Sequence, residues 1–183
     1  TDNFVAARVD EFDVTFMVVP EGFDGNVVAR TLFQGDAIVV ASPDYLQRMG
    51  VPQEPEDLAQ HYYLRDSGQA VRAHTGRRLR LQPLEGDGPA QEVDAPVVLQ
   101  SVSTELLLRA ALDGVGVTVV AQLLAAPFLA SGALIHVLPQ WIYSRYTVYA
   151  ALPSRRMLPA RTKVFLDFVS EQVPQAVVAQ QGG

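Results

Sequence analysis

Leu99-Gln-Ser-Val-Ser-Thr-Glu-Leu-Leu-Leu-Arg-Ala-Ala-Leu-Asp-Gly-Val-Gly-Val-Thr-Val-Val120 decides how the rest of the chain is read. Ser101 and Ser103 both suit a helix N-cap, where a side-chain oxygen accepts from a first-turn N–H. Glu105 adds negative charge where the helix dipole is positive. Leu106, Leu107, Ala110 and Ala111 then fall on one apolar face. Gly114 stands where a helix end needs positive φ. Val117, Val119 and Val120 read as a buried strand. The order is strand end, helix, tight turn, strand. A helix start at the mouth of a parallel sheet carries unpaired N–H groups and is a natural seat for a small anion.

Around this stretch the chain alternates strands with helices, which points to α/β architecture. Asp2 can cap a short helix through Val9. Phe12 to Val19 alternates as a strand, and Val27 to Phe33 is extended. Asp36-Ala-Ile-Val-Val-Ala41 is a strongly β-prone run. Ser42 and Pro43 form an N-cap and N1 pair that starts a helix reaching Gly50. Pro55 to Gln60 is a second short helix. Tyr62 to Arg65 is a strand, followed by a turn at Asp66-Ser-Gly68. Val71 to Pro96 holds extended pieces split by Thr75-Gly76 and Glu85-Gly-Asp-Gly-Pro89, which is hairpin chemistry. Ala125 to Leu134 is helical, and Tyr146 to Leu152 is a further β run. Pro159 opens the last helix, whose Val164, Phe165, Phe168 and Val169 are expected to be its buried face. Crossings between two lobes are expected near Leu64–Ser67 and Ala150–Leu152. Ligands prefer clefts between such lobes.

Composition removes several function classes. The chain has 183 residues, 49% hydrophobic, enough for a sizeable core. Its mean hydropathy is +0.13. It has no apolar run long enough for a membrane span and no signal-peptide pattern at its start. With no cysteine there is neither disulfide nor thiolate chemistry. Net charge is −6, and Lys163 is the single lysine. Phosphate backbones are bound by Lys and Arg, so this chain by itself is not expected to bind DNA.

Five segments in order resemble one family. They are Phe12 to Val18; Val28-Ala-Arg-Thr-Leu32 with Val39 to Gly50 and Pro55-Glu-Asp-Leu58; Ser103 to Val120; Ala125 to Leu134 with Leu138-Pro-Gln-Trp141; and Val148 to Pro159 with Val164 to Phe168. Together the chain resembles the effector-binding domain of LysR-type transcriptional regulators. The resemblance implies an α/β fold of the periplasmic-binding-protein type 2 kind, two Rossmann-like lobes joined by two crossover segments. Lobe one would be 1–64 and 150–174, lobe two 65–149, and 175–183 a mobile tail. The family's domain begins with a strand, a helix and a strand ahead of the position that Thr1 matches, and these are not in this sequence. The family's winged helix-turn-helix is not in it either, so DNA contact is expected only through an N-terminal domain outside this chain. The implied partners are a small organic effector and further copies, as homodimer or homotetramer. The implied location is the cytoplasm, with no membrane. A stand-alone solute-binding protein is the alternative.

No catalytic set is evident: no Gly-x-Ser-x-Gly elbow, and no Ser/His/Asp arrangement. An enzyme and a cofactor are therefore not expected. His61, His74 and His136 lack metal-ligand spacing and read as surface or packing residues. Gly114-Val-Gly116 follows a helix rather than a strand, so it reads as a turn and not a dinucleotide loop. Arg72, His74, Arg77, Arg78 and Arg80 read as a solvated hairpin face. Tyr143, Tyr146 and Tyr149 read as cross-strand packing. The expected effector-binding residues are Ser101, Val102 and Ser103 at the helix start, with Arg65, Ser67 and Gly68 at the first crossing. Leu123 to Ile135, rich in Leu, Ala and Phe, is the expected association surface.

Overall fold

The computed structural model describes residues 13–20, 28–67, 78–152 and 159–181. The chain forms two compact units, Thr1–Gln34 with Tyr146–Gly183, and Gly35–Arg145. The passages between them fall inside strand β2 (Val28–Ala41) and inside strand β10 (Ser144–Leu152). That is earlier than the expected crossings near Leu64–Ser67 and Ala150–Leu152. The cause is strand pairing. β3 (Tyr63–Asp66) is hydrogen-bonded between β6 (Val97–Ser101) and β7 (Val117–Ala121), so it belongs wholly to the second unit. The helix expected at Asp2 to Val9 lies outside the described residues, as do the Thr75-Gly76 break and most of the basic patch.

In the first unit β1 (Thr15–Pro20) runs antiparallel to β10, in register from Thr15 opposite Ala151 to Pro20 opposite Tyr146. β10 in turn neighbours β2. The closing helix is α4 (Ala160–Gln181). It buries Leu166 and Thr162. Leu166 joins Leu32 and Ala150 in a small core, with Phe33, Val148 and Val169 packed against it. Arg30 donates to Asp167 at 2.7 Å. One expectation fails here. Phe165 and Phe168 are 47% and 62% exposed, so the helix faces the sheet on a different side. The helix runs on through Gln175 to Gln181.

The second unit is built on β2, β7, β3 and β6 in that order, with β8 (Ile135–Val137) also paired to β2. β2 is antiparallel to β7 and β8, whereas β3, β6 and β7 are mutually parallel. Alternation along β2 divides the core between the two faces of this sheet. Val39 and Ala41 enter one cluster with Tyr45, Leu58, Tyr63 and Val117. Ile38 and Val40 enter the other with Leu64, Leu107, Ala111 and Val120. A second, three-stranded sheet joins β5 (Gln91–Val93), β4 (Leu79–Pro83) and β9 (Trp141–Ile142). The expected hairpin is therefore present, with Gly86 at φ 83° in its connection.

Local signals place the helices. α1 (Pro43–Met49) starts at Ser42, whose side chain accepts from the Tyr45 N–H at 3.3 Å. Pro55–Gln60 is a 3₁₀ helix, held by a capping box between Glu54 and Asp57. Asp57 accepts from the Gln53 and Glu54 amides at 2.9 and 3.2 Å, which holds its carboxyl below the usual range. α2 (Thr104–Leu112) and α3 (Gln122–Ala130) complete the set. Gly114 follows α2 with φ 75°, as a helix end requires. Gly116 has a different reason to be glycine. A Cβ there would lie 2.3 Å from the Tyr62 carbonyl oxygen.

Candidate functional site

β6, α2 and β7 form a strand–helix–strand crossover whose two strands flank β3. The carboxyl ends of β6 and β3 therefore open side by side at the start of α2. In parallel α/β sheets this is the edge where ligands bind. The Ser67 N–H donates to the Ser101 carbonyl at 2.9 Å, which ties the two strand ends together. Asp66 lies opposite Ser101, and Arg65 opposite Gln100.

Both serines act as caps. The Ser103 side chain accepts from the Leu106 N–H at 3.3 Å, and the Ser101 hydroxyl oxygen accepts from the Ser103 N–H at 3.0 Å. Two of the four orphan donors of α2 are satisfied this way, and the Thr104 and Glu105 amides have no partner within the helix. Each hydroxyl retains one O–H to donate. Val102 between them is 75% exposed. The junction thus presents several donors beside an apolar side chain. The dipole favours negative charge, while the exposed Glu105 in the first turn opposes it.

The expected site residues do not all meet. Ser101, Val102, Ser103 and Ser67 come together at the strand–helix junction, with Ser67 half-buried. Gly68 lies outside the described residues. Arg65 lines a cavity of about 600 Å³ along β6, whose other walls are residues 94–100. That lining contains none of the three residues from Ser101 to Ser103. Sequence reasoning missed this cavity, because the register that sets Arg65 beside Gln100 follows a bulge at Tyr63/Leu64. Two buried phenols, Tyr143 and Tyr63, lie close enough to Arg65 to feel its charge. Burial pushes Tyr143 upward, with Asp66 adding to the rise and Arg65 opposing it. Burial does the same to Tyr63 more strongly.

The histidines are packing groups where they are described. His61 is buried. His136 stands on β8 with its Nε2 buried and unpartnered, and burial holds its imidazole low. Among the described residues no group of three or more His, Cys, Asp or Glu could hold a metal ion. Among them, too, no helix is long and apolar enough to cross a membrane. On the expected association surface Leu124 and Ile135 are exposed, Ala125 is buried and Phe128 packs against the core.

Comparison with known proteins points one way. An HTH-type transcriptional regulator of Escherichia coli, YhjC, is 30% identical over 162 residues, spanning 88% of this chain and 52% of that protein. The regulator PtxR of Pseudomonas aeruginosa is 29% identical over 153 residues, 82% of this chain and 46% of that protein. The chain thus spans about half the length of the curated relatives it matches. The LysR-type regulator CrgA of Neisseria meningitidis superposes with a TM-score of 0.73 at 27% identity, covering 93% of this chain and 55% of that one. The regulatory domain of CrgA alone gives 0.70 at 28%, covering 88% and 76%. The virulence activator AphB of Vibrio cholerae gives 0.72 at 26%, covering 89% and 52%. The model of the LysR substrate binding domain matches residues 2–174, and with that match over most of its length this chain belongs to the LysR substrate binding domain family.

Proposed function

We propose that this chain is the effector-sensing and oligomerisation part of a LysR-type transcriptional regulator, and that its two compact units are the two lobes of that domain. It works in the cytoplasm, carries no cofactor and catalyses no reaction. DNA is contacted by a separate N-terminal domain, and copies associate as a dimer or tetramer. The relatives are named transcriptional regulators, which favours this reading over a stand-alone solute-binding protein.

The observation that supports the site is the junction of β6 and α2, where Ser101 caps the Ser103 N–H and Ser103 caps the Leu106 N–H beside the remaining first-turn amides. Such a place receives a small organic molecule through an acceptor group, a carboxylate or a carbonyl. Val102 supplies apolar contact beside it. Ser67, bonded to the Ser101 carbonyl, completes this contact, and Arg65 and Gly68 are the further residues proposed to take part. The effector acts by differential affinity for two poses of the regulator.

The test separates capping from ligand contact. A thermal-shift screen of small organic acids and aromatics on the complete regulator supplies a binder. Its affinity is then measured by calorimetry for Ser101→Gly and Ser103→Gly. Glycine costs only a few tenths of a kcal/mol at an N-cap, so stability is nearly kept. Affinity should fall roughly tenfold, the equivalent of about 1–1.5 kcal/mol for one lost hydrogen bond. Wild-type affinity in both variants would leave the serines as caps alone.

A further inference from the structure

Away from the strand–helix junction, one buried titratable group is tied into the frame of the second unit. His61 is 4% exposed, at the end of the 3₁₀ helix. Its Nδ1 lies 3.2 Å from the Tyr45 Oη of α1. The same Oη accepts from the Tyr62 N–H at 2.9 Å, where the chain enters β3. The Tyr62 carbonyl in turn accepts from the Val117 N–H of β7 at 2.8 Å. Tyr45 is itself fully buried. Its ring meets the imidazole at 5.7 Å, and the Arg48 guanidinium lies 5.9 Å above it. Arg48 also donates to the Gly114 carbonyl at 2.6 Å, just beyond the end of α2.

One assignment of protons lets Tyr45 bond to both neighbours at once, with the phenol donating to His61. A phenol has one proton to give. Its oxygen accepts from Tyr62, and in this assignment its O–H donates to His61 Nδ1. That requires a neutral imidazole with its proton on Nε2. A second ring proton, on Nδ1, would face the oxygen and turn the phenol proton away. A buried donor left without an acceptor is costly. We propose that His61 and Tyr45 form an acid-sensitive latch, closed while His61 is neutral, that holds α1 to the entry of β3 and opens when His61 is protonated.

The surrounding groups agree. From α1 the facing groups are Tyr45 and, over its ring, Arg48; Tyr62 faces the phenol from the approach to β3. Asp57 on the 3₁₀ helix is the charged group that acts on the imidazole, and it favours protonation. Burial outweighs it and holds His61 below its ordinary value. The unfolded chain therefore binds more protons than the folded one below that ordinary value of about 6.5. Stability from the latch is present in full above it. It is lost as pH falls from there through the lower folded-state value.

The experiment reads the latch locally, because His136 on β8 is also held low by burial. In the intact chain, ring-nitrogen NMR of His61 is followed from pH 8 to pH 5 together with amide exchange at Tyr62, corrected for intrinsic rates. The expected result is an Nε2–H tautomer that titrates below about 6.5. Exchange at Tyr62 should then quicken by up to about tenfold per pH unit below that point, the limit for one proton taken up on opening. His61→Gln, whose side-chain carbonyl accepts from Tyr45 at every pH, should lose this dependence. A His61 that titrates at or above the ordinary value, or a His61→Gln variant with the wild-type exchange profile, overturns the proposal. If His61→Gln does not fold, the wild-type ring titration and tautomer decide alone.

Discussion

Gly116→Ala is expected to be among the most damaging single-methyl substitutions in the second unit. The added Cβ would meet the Tyr62 carbonyl oxygen at 2.3 Å, the Tyr62 carbonyl carbon at 3.1 Å and a Leu64 methyl at 3.2 Å. A side chain could turn aside, but the first two contacts are backbone. Relief requires β7 to move off β3, where Val117 pairs with Tyr63 and Thr118 with Leu64. That movement would stretch the 2.8 Å bond from the Val117 N–H to the Tyr62 carbonyl. It would also stretch the 3.0 Å bond from the Thr118 hydroxyl to the Leu64 carbonyl. Overpacking against backbone costs about 3 kcal/mol or more. For a domain of this size that lowers Tm by roughly 6–12 °C. Gly132→Ala is the contrast. Gly132 has φ 73° but nothing within 4 Å of a built Cβ, so only left-handed strain applies, about 1–2 kcal/mol. Thermal and urea unfolding of both variants make the comparison. A Gly116→Ala variant at least as stable as Gly132→Ala would show that β7 and Tyr62 do not approach this closely.

Leu166→Ala should have a comparable effect in the first unit. Leu166 is 3% exposed and shares its cluster with Leu32 of β2 and Ala150 of β10. Truncating it removes buried methyls and leaves a cavity between helix and strands, at a cost of about 2–5 kcal/mol. Phe168→Ala reverses the usual expectation for an aromatic. At 62% exposure its ring gives up little buried area, and the loss should stay near 0.5 kcal/mol. Urea unfolding of the two variants checks this directly. If Phe168→Ala proves the more damaging, α4 docks through its Phe165–Phe168 side, and the placement of Leu166 is wrong.

These cases show where the sequence was sufficient. Ser42 before Pro43, Ser103 before Thr104, and Gly114 after Leu112 each specify a helix boundary. Their bonds close within a few residues, as from Tyr45 N–H to Ser42 and from Leu106 N–H to Ser103. A reading along the chain can see such partners. The parallel β7 was legible too, because a strand covered on both faces is apolar at nearly every position. The family was recognisable for the same reason, since its segments recur as short local patterns in a fixed order. Part of the proposed site came with them: the caps at Ser101 and Ser103 follow from residue type and place in the α2 start.

The rest depended on partners far away in sequence. α4 carries Val164, Phe165, Leu166, Phe168 and Val169 on nearly every side, so its apolar face has no unique phase until Leu32 and Ala150 select Leu166. Gln34-Gly-Asp36 reads as a break between two strands. Pairing to β7 and β8 from Ala37 onward, with β10 alongside, instead draws Val28–Ala41 into one strand. Whether Gly116 is a turn or a point of close approach depends on Tyr62 lying against it. His61 gives no sign of its partner in sequence, since Tyr45 belongs to another helix. Local hydrogen bonding is written in neighbouring residues. The phase of a helix, the order of strands and the burial of a histidine are decided by which surfaces exclude water together, and for this protein only the folded chain determined them.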